Sequence, residues 1–195
     1  MRAINHRARG QKGFTLTEIS IVLGIMGLIL GAIWTAASGV YDKQRVSHAT
    51  TAIMQIVQGI RGIYASSSSL DADFNVTNLN NAGALPSDMV NSAGNALVGL
   101  FPGGATTLSS LYSGAAFDIT VTKIPRDNCV SLLMAIAGNS RDPGLLAAAS
   151  TAPAAQPAPL SVTATPVLAA AAVANNFGGC MSTSSNTMHF VFTLK

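Results

Sequence analysis

The sequence predicts an α+β fold in which one long N-terminal α-helix packs on an antiparallel β-sheet. Apolar residues recur every three or four positions from residue 46 to residue 64, which is typical of a helix with one buried face. Apolar and polar residues alternate at residues 117–123 and 188–194, which is typical of β-strands. The chain has 195 residues, so one globular domain fits beyond the N-terminal segment.

The first element is an apolar segment that follows a basic leader. Residues 19–40 contain no charged residue, and the run from Phe14 supplies roughly the 20 apolar residues that a membrane-spanning helix needs. Glu18 is the exception, because a carboxylate within such a segment costs a few kcal/mol and normally faces a polar partner. Four basic residues precede the segment: Arg2, Arg7, Arg9 and Lys12. They predict a cytoplasmic N-terminus, with the rest of the chain outside.

Proteolysis could create a cation for Glu18. Cleavage after Gly13 would give Phe14 a free α-amine, which is normally protonated near neutral pH. In a helix, residues 14 and 18 lie one turn apart on the same face. The amine and the carboxylate could therefore pair within one chain or between neighbouring chains.

The junction G-F-T-L-T-E at residues 13–18, followed by an apolar run, resembles the processing site of type IV prepilins. The resemblance implies that a membrane peptidase cuts after Gly13 and methylates Phe14, and that Glu18 meets the amine of an adjacent subunit. It implies a type IV pilin fold with three parts: a leader at 1–13 that is removed, a membrane and filament-core helix half at 14–40, and a globular head at 41–195.

The same resemblance implies partners and a location. The precursor would cross the inner membrane once and meet the prepilin peptidase/methyltransferase and the pilus assembly machinery. The mature chain would form an extracellular filament of identical copies, used in adhesion, conjugation or related surface functions. The segment A-L-P-S-D-M-V at 84–90 and a strand followed by a Cys-bearing helix resemble the heads of type IVb pilins. A type IVb-like major pilin is expected, although Phe14 and the short leader resemble type IVa.

Three alternatives remain open. The N-terminal segment also fits an ordinary signal peptide cut after Ala37, which would leave a mature chain beginning at Ser38. A minor pilin or a type II secretion pseudopilin shares the same processing site. A membrane-anchored periplasmic module that never polymerises would use the helix only as an anchor.

The long helix is expected to cover residues 14–65, about 75 Å at 1.5 Å per residue, because no turn signal interrupts it. Its first half is apolar on all sides, so lipid or other copies must bury it. Gly24, Gly27 and Gly31 lie in this half. The G-x-x-x-G spacing of the last two allows close helix approach in lipid. Loosening of the helix is the alternative role.

Shorter elements follow the helix. Residues 71–83 are polar and rich in Asn, which predicts a surface loop. Ser87 is a candidate N-cap for a short helix, and F-P-G-G at 101–104 predicts a turn. The strand at 117–123 should bury one face only, with its polar side chains towards solvent: Asp118, Thr120 and Thr122.

The sequence of the C-terminal third predicts one helix and two strands. Asp127 is a plausible cap for a short helix that carries Cys129 and stops at Gly138. Residues 139–176 combine Ala, which favours helix, with Pro, which breaks it, and we expect a loop with one short strand near 161–165. A strand over 186–195 closes the chain.

The cysteines and the net charge limit the locations and the partners that fit this sequence. Cys129 and Cys180 lie in the part predicted to be outside the cytoplasm, so a disulfide is expected. By restricting the unfolded chain, it would stabilise the fold by roughly 4 kcal/mol.

The net charge of the sequence is +3, but removal of the leader leaves seven basic against eight acidic residues. No basic stripe for nucleic acid remains.

No catalytic or metal-binding pattern is found in the sequence. His6, His48 and His189 are far apart, and the last two are expected in solvated positions. Asp127 and Asp142 are expected at the surface, in capping or solubilising roles. There is no phosphate-binding loop of the Walker form and no G-x-S-x-G turn. We therefore expect a protein that is not an enzyme and has no metal or cofactor.

Overall fold

The computed structural model describes residues 14–138, 142–150 and 180–194. The α-helices and β-strands in these ranges are, in chain order, α1 Leu16–Ile63, α2 Val76–Asn81, β1 Thr106–Leu111, β2 Ala116–Ile124, α3 Arg126–Ala137, β3 Leu145–Ala149 and β4 Asn186–Thr193. Two short 3₁₀ helices are Ser87–Met89 and Tyr112–Gly114.

Helix α1 begins two residues later and ends two residues earlier than predicted. It contributes to two compact units: residues up to Tyr41, and a head unit from Asp42 on. In the first unit, every side chain from residue 14 to residue 35 is exposed. In the head unit, the three- and four-residue spacing buries one face of the helix, which includes Ala49, Ile53, Ile56, Val57 and Ile60.

The four strands form one antiparallel sheet in the order β1-β2-β4-β3. The last strand of the chain, β4, therefore lies in the middle and pairs with both β2 and β3. The residues that alternate along β2 and β4 place Phe117, Phe190 and Phe192 in one core with the buried face of α1. The rings of Phe117 and Phe192 stack at 5.8 Å between centroids.

The prediction that β2 buries only one face is wrong. Asp118, expected towards solvent, is 2% exposed. By alternation it lies on the face opposite Phe117. That opposite face carries a second apolar cluster that includes Ala116, Leu146 and Val191. Strand β2 is therefore a central strand with two buried faces. The polar residues in its sequence made it resemble a strand with one solvent-exposed face.

One α-helix and two β-strands were not predicted. The predicted loop at 71–83 contains α2, which Asn75 caps by accepting a hydrogen bond of 2.9 Å from the Asn78 amide, while Leu79 is buried. Strand β1, T-T-L-S-S-L, has few apolar residues, and β3, L-L-A-A-A, has a composition typical of a helix. The strand predicted near 161–165 lies outside the described residues.

The predicted caps differ from the observed ones. Ser87 lies inside its 3₁₀ helix, and no side-chain hydrogen bond caps that helix. Helix α3 starts at Arg126, with Asp127 in its first turn and again no side-chain cap bond. Gly138 follows the last residue of α3, as predicted. The turn at 101–104 is confirmed by a 2.9 Å bond from the Gly104 amide to the Phe101 carbonyl.

Candidate assembly and processing site

The start of α1 is fixed by reciprocal hydrogen bonds between Thr15 and Glu18. The Glu18 amide donates to the Thr15 hydroxyl oxygen at 3.3 Å. In return, Glu18 Oε2 accepts from the Thr15 amide at 3.0 Å and from the Thr15 hydroxyl at 2.9 Å. This is a capping box, which satisfies donors that the first turn of a helix leaves free. Its signature, Thr followed three residues later by Glu, is present in T-L-T-E at residues 15–18.

The capping box explains why the helix starts at Leu16 and not at Phe14. Phe14 precedes the helix and is 83% exposed. Gly13, the predicted residue before the cleaved bond, lies outside the described residues. The structure thus leaves the predicted new terminus outside the hydrogen-bonded turns of α1.

The second oxygen of Glu18 is available. Within the described ranges, Glu18 Oε1 accepts no hydrogen bond, whereas Oε2 accepts two. The carboxylate is exposed on a helix that carries no other charged residue up to Val40. A cation from outside the described part of the chain can therefore reach Oε1.

The three glycines of the apolar half have open surroundings. A Cβ atom added at Gly24, Gly27 or Gly31 would meet nothing within 4 Å. The structure therefore gives them no packing role within the part of the chain that it describes. Helix α1 is also long and apolar enough to cross a membrane, with none of its most apolar 18-residue window buried.

The predicted disulfide is formed in the head unit. Cys129 and Cys180 are bonded, with their Cα atoms 5.8 Å apart, and both are fully buried. The bond joins the first turn of α3 to the segment that leads into β4. The Asn186 side chain holds that segment in place by donating to the Ile124 and Ser182 carbonyls at 2.9 and 2.8 Å. It also accepts from the Ser182 amide at 2.9 Å.

Asp142, expected at the surface, is instead paired with Arg61. The guanidinium binds both carboxylate oxygens, at 2.8 and 2.9 Å, and its Nε donates to the Thr193 carbonyl at 3.1 Å. The two side chains are only 18% and 12% exposed. Burial alone would raise the pKa of Asp142, but hydrogen bonds from Arg61 and from the Gly144 amide, together with the guanidinium charge, hold it below its usual value.

His189, expected in a solvated position, contacts a buried carboxylate. Its Nδ1 lies 2.6 Å from Asp118 Oδ2, which also accepts from the Thr120 hydroxyl at 2.8 Å. The His189 side chain is 20% exposed.

His48 is exposed, as predicted, with its Nε2 3.3 Å from Asp88 Oδ2. Across the described residues, no three His, Cys, Asp or Glu side chains are grouped to hold a metal.

Comparison with known proteins gives two family matches. Residues 8–34 match the prokaryotic N-terminal methylation motif. Residues 43–141, just over half of the chain, match the family described as PilS N terminal. No curated protein matches the sequence.

A solved structure supports the fold. The chain is similar to TcpA, a type IV pilin from Vibrio cholerae El Tor biotype, with a TM-score of 0.50 over 77% of this chain and 99% of that one. The two sequences are 18% identical, so the similarity concerns the fold alone.

These findings agree on one family. The long N-terminal helix and the four-stranded antiparallel sheet are the fold of a type IV pilin. The methylation motif and the exposed apolar helix indicate a membrane-anchored precursor that prepilin peptidase processes and that assembles into filaments. Proteins of this family are structural subunits and not enzymes. The chain belongs to the type IV pilins, within the family described as PilS N terminal.

Proposed function

We propose that this chain is the major subunit of a type IVb-like pilus, stored in the inner membrane and polymerised into a surface filament. The observation that carries the proposal is the apolar half of α1, whose side chains are all exposed from Leu16 to Thr35 and include a single charge, Glu18. Because water is a poor solvent for such a surface, lipid must cover it before assembly and other copies afterwards.

Processing would prepare the terminus for assembly. The leader, residues 1–13, would hold the N-terminus in the cytoplasm through its basic residues. Cleavage after Gly13 and methylation of Phe14 would leave a cationic end just before α1. The exposure of Phe14 supports this role, since a terminus outside the helix is accessible to an enzyme and to a neighbouring subunit.

Assembly would pair that amine with Glu18 of an adjacent copy. The free Oε1 of Glu18 supports an intermolecular pair. A carboxylate surrounded by apolar groups would be strongly stabilised by a cation, so the pair would fix the axial register of neighbouring helices. The assembly machinery of the inner membrane would supply the force that extracts the subunit.

The proposed surface roles are adhesion, conjugation or related contacts of the filament with its surroundings. The mature chain is nearly neutral, and this supports recognition of partners other than nucleic acid. A minor pilin or pseudopilin would share the processing but would be scarce in filaments.

The experiment is to shear surface material from cells that produce this chain and from cells that produce Glu18→Ala. Mass spectrometry of the wild-type product should show a chain that begins at methylated Phe14 and is abundant in the filaments. Glu18→Ala should be trimmed to the same residue in the membrane but yield no filaments. Ser20→Ala, which removes a hydroxyl that only donates to the Thr17 carbonyl at 2.9 Å, should assemble normally.

Several results would contradict the proposal. A product that begins at Met1 or Ser38 would exclude processing as a pilin. Normal filaments from Glu18→Ala would exclude the role of the carboxylate. A trimmed chain that stays monomeric in the membrane would favour a simple anchored module, and a trace amount in filaments would favour a minor subunit.

A further inference from the structure

The stretch D-F-N-V-T at residues 73–77 contains a pattern that occurs once in the sequence. Asn75 is followed two positions later by Thr77, and the residue between them is not Pro. No other asparagine of the sequence has Ser or Thr two positions after it. The pattern N-x-S/T is the acceptor for N-linked glycosylation in exported proteins. It can serve as an acceptor only where the asparagine amide is accessible.

The structure holds this pattern at the surface of the head unit. Asn75 and Thr77 are both exposed. The residues around them are anchored in the core: the Phe74 ring contacts the Tyr64 ring edge-on, with 6.2 Å between centroids, and Leu79 is buried. These anchors fix the backbone of the segment, so the acceptor amide stays on the outside of the folded head unit.

A sugar on Asn75 is compatible with the observed hydrogen bonds. Asn75 Oδ1 accepts from the Asn78 amide at 2.9 Å, and Nδ2 donates to the Asp73 carbonyl at 3.0 Å. The side-chain amide has two N–H donors, and glycosylation replaces only one of them. The oxygen that caps α2 and one N–H group therefore remain after modification, so the fold can carry the sugar without losing its local contacts.

The Thr77 hydroxyl is free for recognition. Within the residues that the structure describes, it makes no hydrogen bond, although it lies in the first turn of α2. Helix α2 has only six residues, and helices of that length are marginal without tertiary support. An enzyme can therefore bind Asn75 and Thr77 in an extended conformation, before α2 forms or when it opens.

We propose that Asn75 is glycosylated on Nδ2 outside the cytoplasm, by an oligosaccharyltransferase that uses a lipid-linked sugar pyrophosphate. Nδ2 attacks the anomeric carbon of the sugar, and the bond from that carbon to the phosphate oxygen breaks. The amide loses one proton to a base of the enzyme, and the lipid pyrophosphate leaves. The inference rests on the proposed function only for the export of the head unit.

The test is mass spectrometry of the peptide that contains Asn75. The full chain is taken both from the membrane and from filaments sheared from the cells that produce it. Alkaline β-elimination, which releases sugars from Ser and Thr but not from an asparagine amide, excludes attachment to the exposed serines at residues 66, 68 and 69. The variants are Asn75→Gln, Thr77→Val and Thr77→Ser, with Asn78→Gln as the matched control.

We expect the wild-type peptide to carry at least one sugar on Asn75 that resists β-elimination. The sugar should be lost completely in Asn75→Gln, which lacks the acceptor, and in Thr77→Val, which lacks the hydroxyl. Thr77→Ser should keep it. Asn78→Gln should also keep it, because Asn78 is exposed in the same helix but is outside the pattern. Absence of free thiols in Thr77→Val, which reports the buried disulfide, shows that this variant has folded.

Other results would overturn the inference. An unmodified Asn75 in trimmed, assembled wild-type chains would exclude glycosylation and leave the proposed function intact. A sugar that persists in Thr77→Val, or that β-elimination releases, would place the modification on another residue or in another chemistry. A chain that carries the sugar on Asn75 but is neither trimmed nor assembled would support this site and contradict the proposed function.

Discussion

Arg61 connects three parts of the head unit through one side chain. From α1 it binds Asp142, which precedes β3, and the carbonyl of Thr193 at the end of β4. The residues are 81 and 132 positions from Arg61 in sequence, so the contact exists only when the sheet has closed on the helix. A bidentate pair between largely buried partners contributes more than an exposed ion pair.

This pair predicts how stability depends on pH. The pKa of Asp142 is lowered in the folded chain, so its contribution is complete above the ordinary pKa of an Asp, about 3.9, and is lost as pH falls through the lowered value. Asp142→Asn should remove this part of the acid sensitivity and cost about 2 kcal/mol at pH 7. The measurement is thermal unfolding of the trimmed chain in detergent between pH 7 and pH 3.

Asp127→Asn is the control for that series, because Asp127 is an exposed carboxylate in the first turn of α3. It should leave the pH profile close to that of the wild type. An Asp142→Asn profile that runs parallel to the wild type at all pH values would show that the ion pair is not the source of the acid sensitivity.

At the scale of elements, α1 approaches the rest of the head unit closely at Gly59. A Cβ atom added there would collide with the carbonyl of Ala84, which follows α2, whereas at Gly62 it would meet nothing within 4 Å. Gly59→Ala should therefore destabilise the head unit by about 1–3 kcal/mol, the usual cost of overpacking. Gly62→Ala, one turn on, should be neutral or stabilise by up to about 1 kcal/mol through helix propensity.

Unfolding by urea, followed by near-ultraviolet circular dichroism, measures both variants in the trimmed chain. A Gly59→Ala protein that is as stable as Gly62→Ala would mean that the segment around Ala84 moves aside without cost. In that case the contact between α1 and the residues after α2 would not be a fixed part of the core.

Periodicity predicted the elements whose secondary structure is determined by the pattern of their own side chains. Helix α1 and strand β4 were found because each repeats one pattern over many residues. Strands β1 and β3 were missed because pairing with β2 and β4, and not their own composition, makes them strands. The burial of Asp118 could not be predicted either, since it depends on the position of β2 within the sheet.

In the candidate site and the head unit, too, local features are predictable from the sequence, and contacts between distant residues are not. The motif at 13–18 predicts roles for Phe14 and Glu18, and the capping box is predictable from Thr15 and Glu18, because both lie within one turn. The pair of Arg61 and Asp142 and the pair of Asp118 and His189 join residues far apart in sequence. The first contact follows from the packing of α1 on the sheet and the second from the register of β2 and β4, and no local pattern specifies either.

At the scale of the whole molecule, the two units differ in how their apolar side chains are buried. The head unit has a continuous core of its own, made by α1, α3 and the sheet. In the unit up to Tyr41, none of the side chains that the structure describes is buried, and every side chain from residue 14 to residue 35 is exposed. Substitutions in the first unit should therefore change association and leave the folding of the head unit unaltered.

Gly27 provides the sharpest test of this separation. If Gly27 and Gly31 allow neighbouring helices to approach closely, Gly27→Leu should strongly reduce filament yield, because the larger side chain holds the helices apart. Gly27→Ala should have a smaller effect, and neither variant should change the unfolding midpoint of the head unit. Gly39→Leu is the control, since Gly39 is also open in α1 but lies outside this spacing. If Gly27→Ala reduced the yield as much as Gly27→Leu, the glycine would act by loosening the helix.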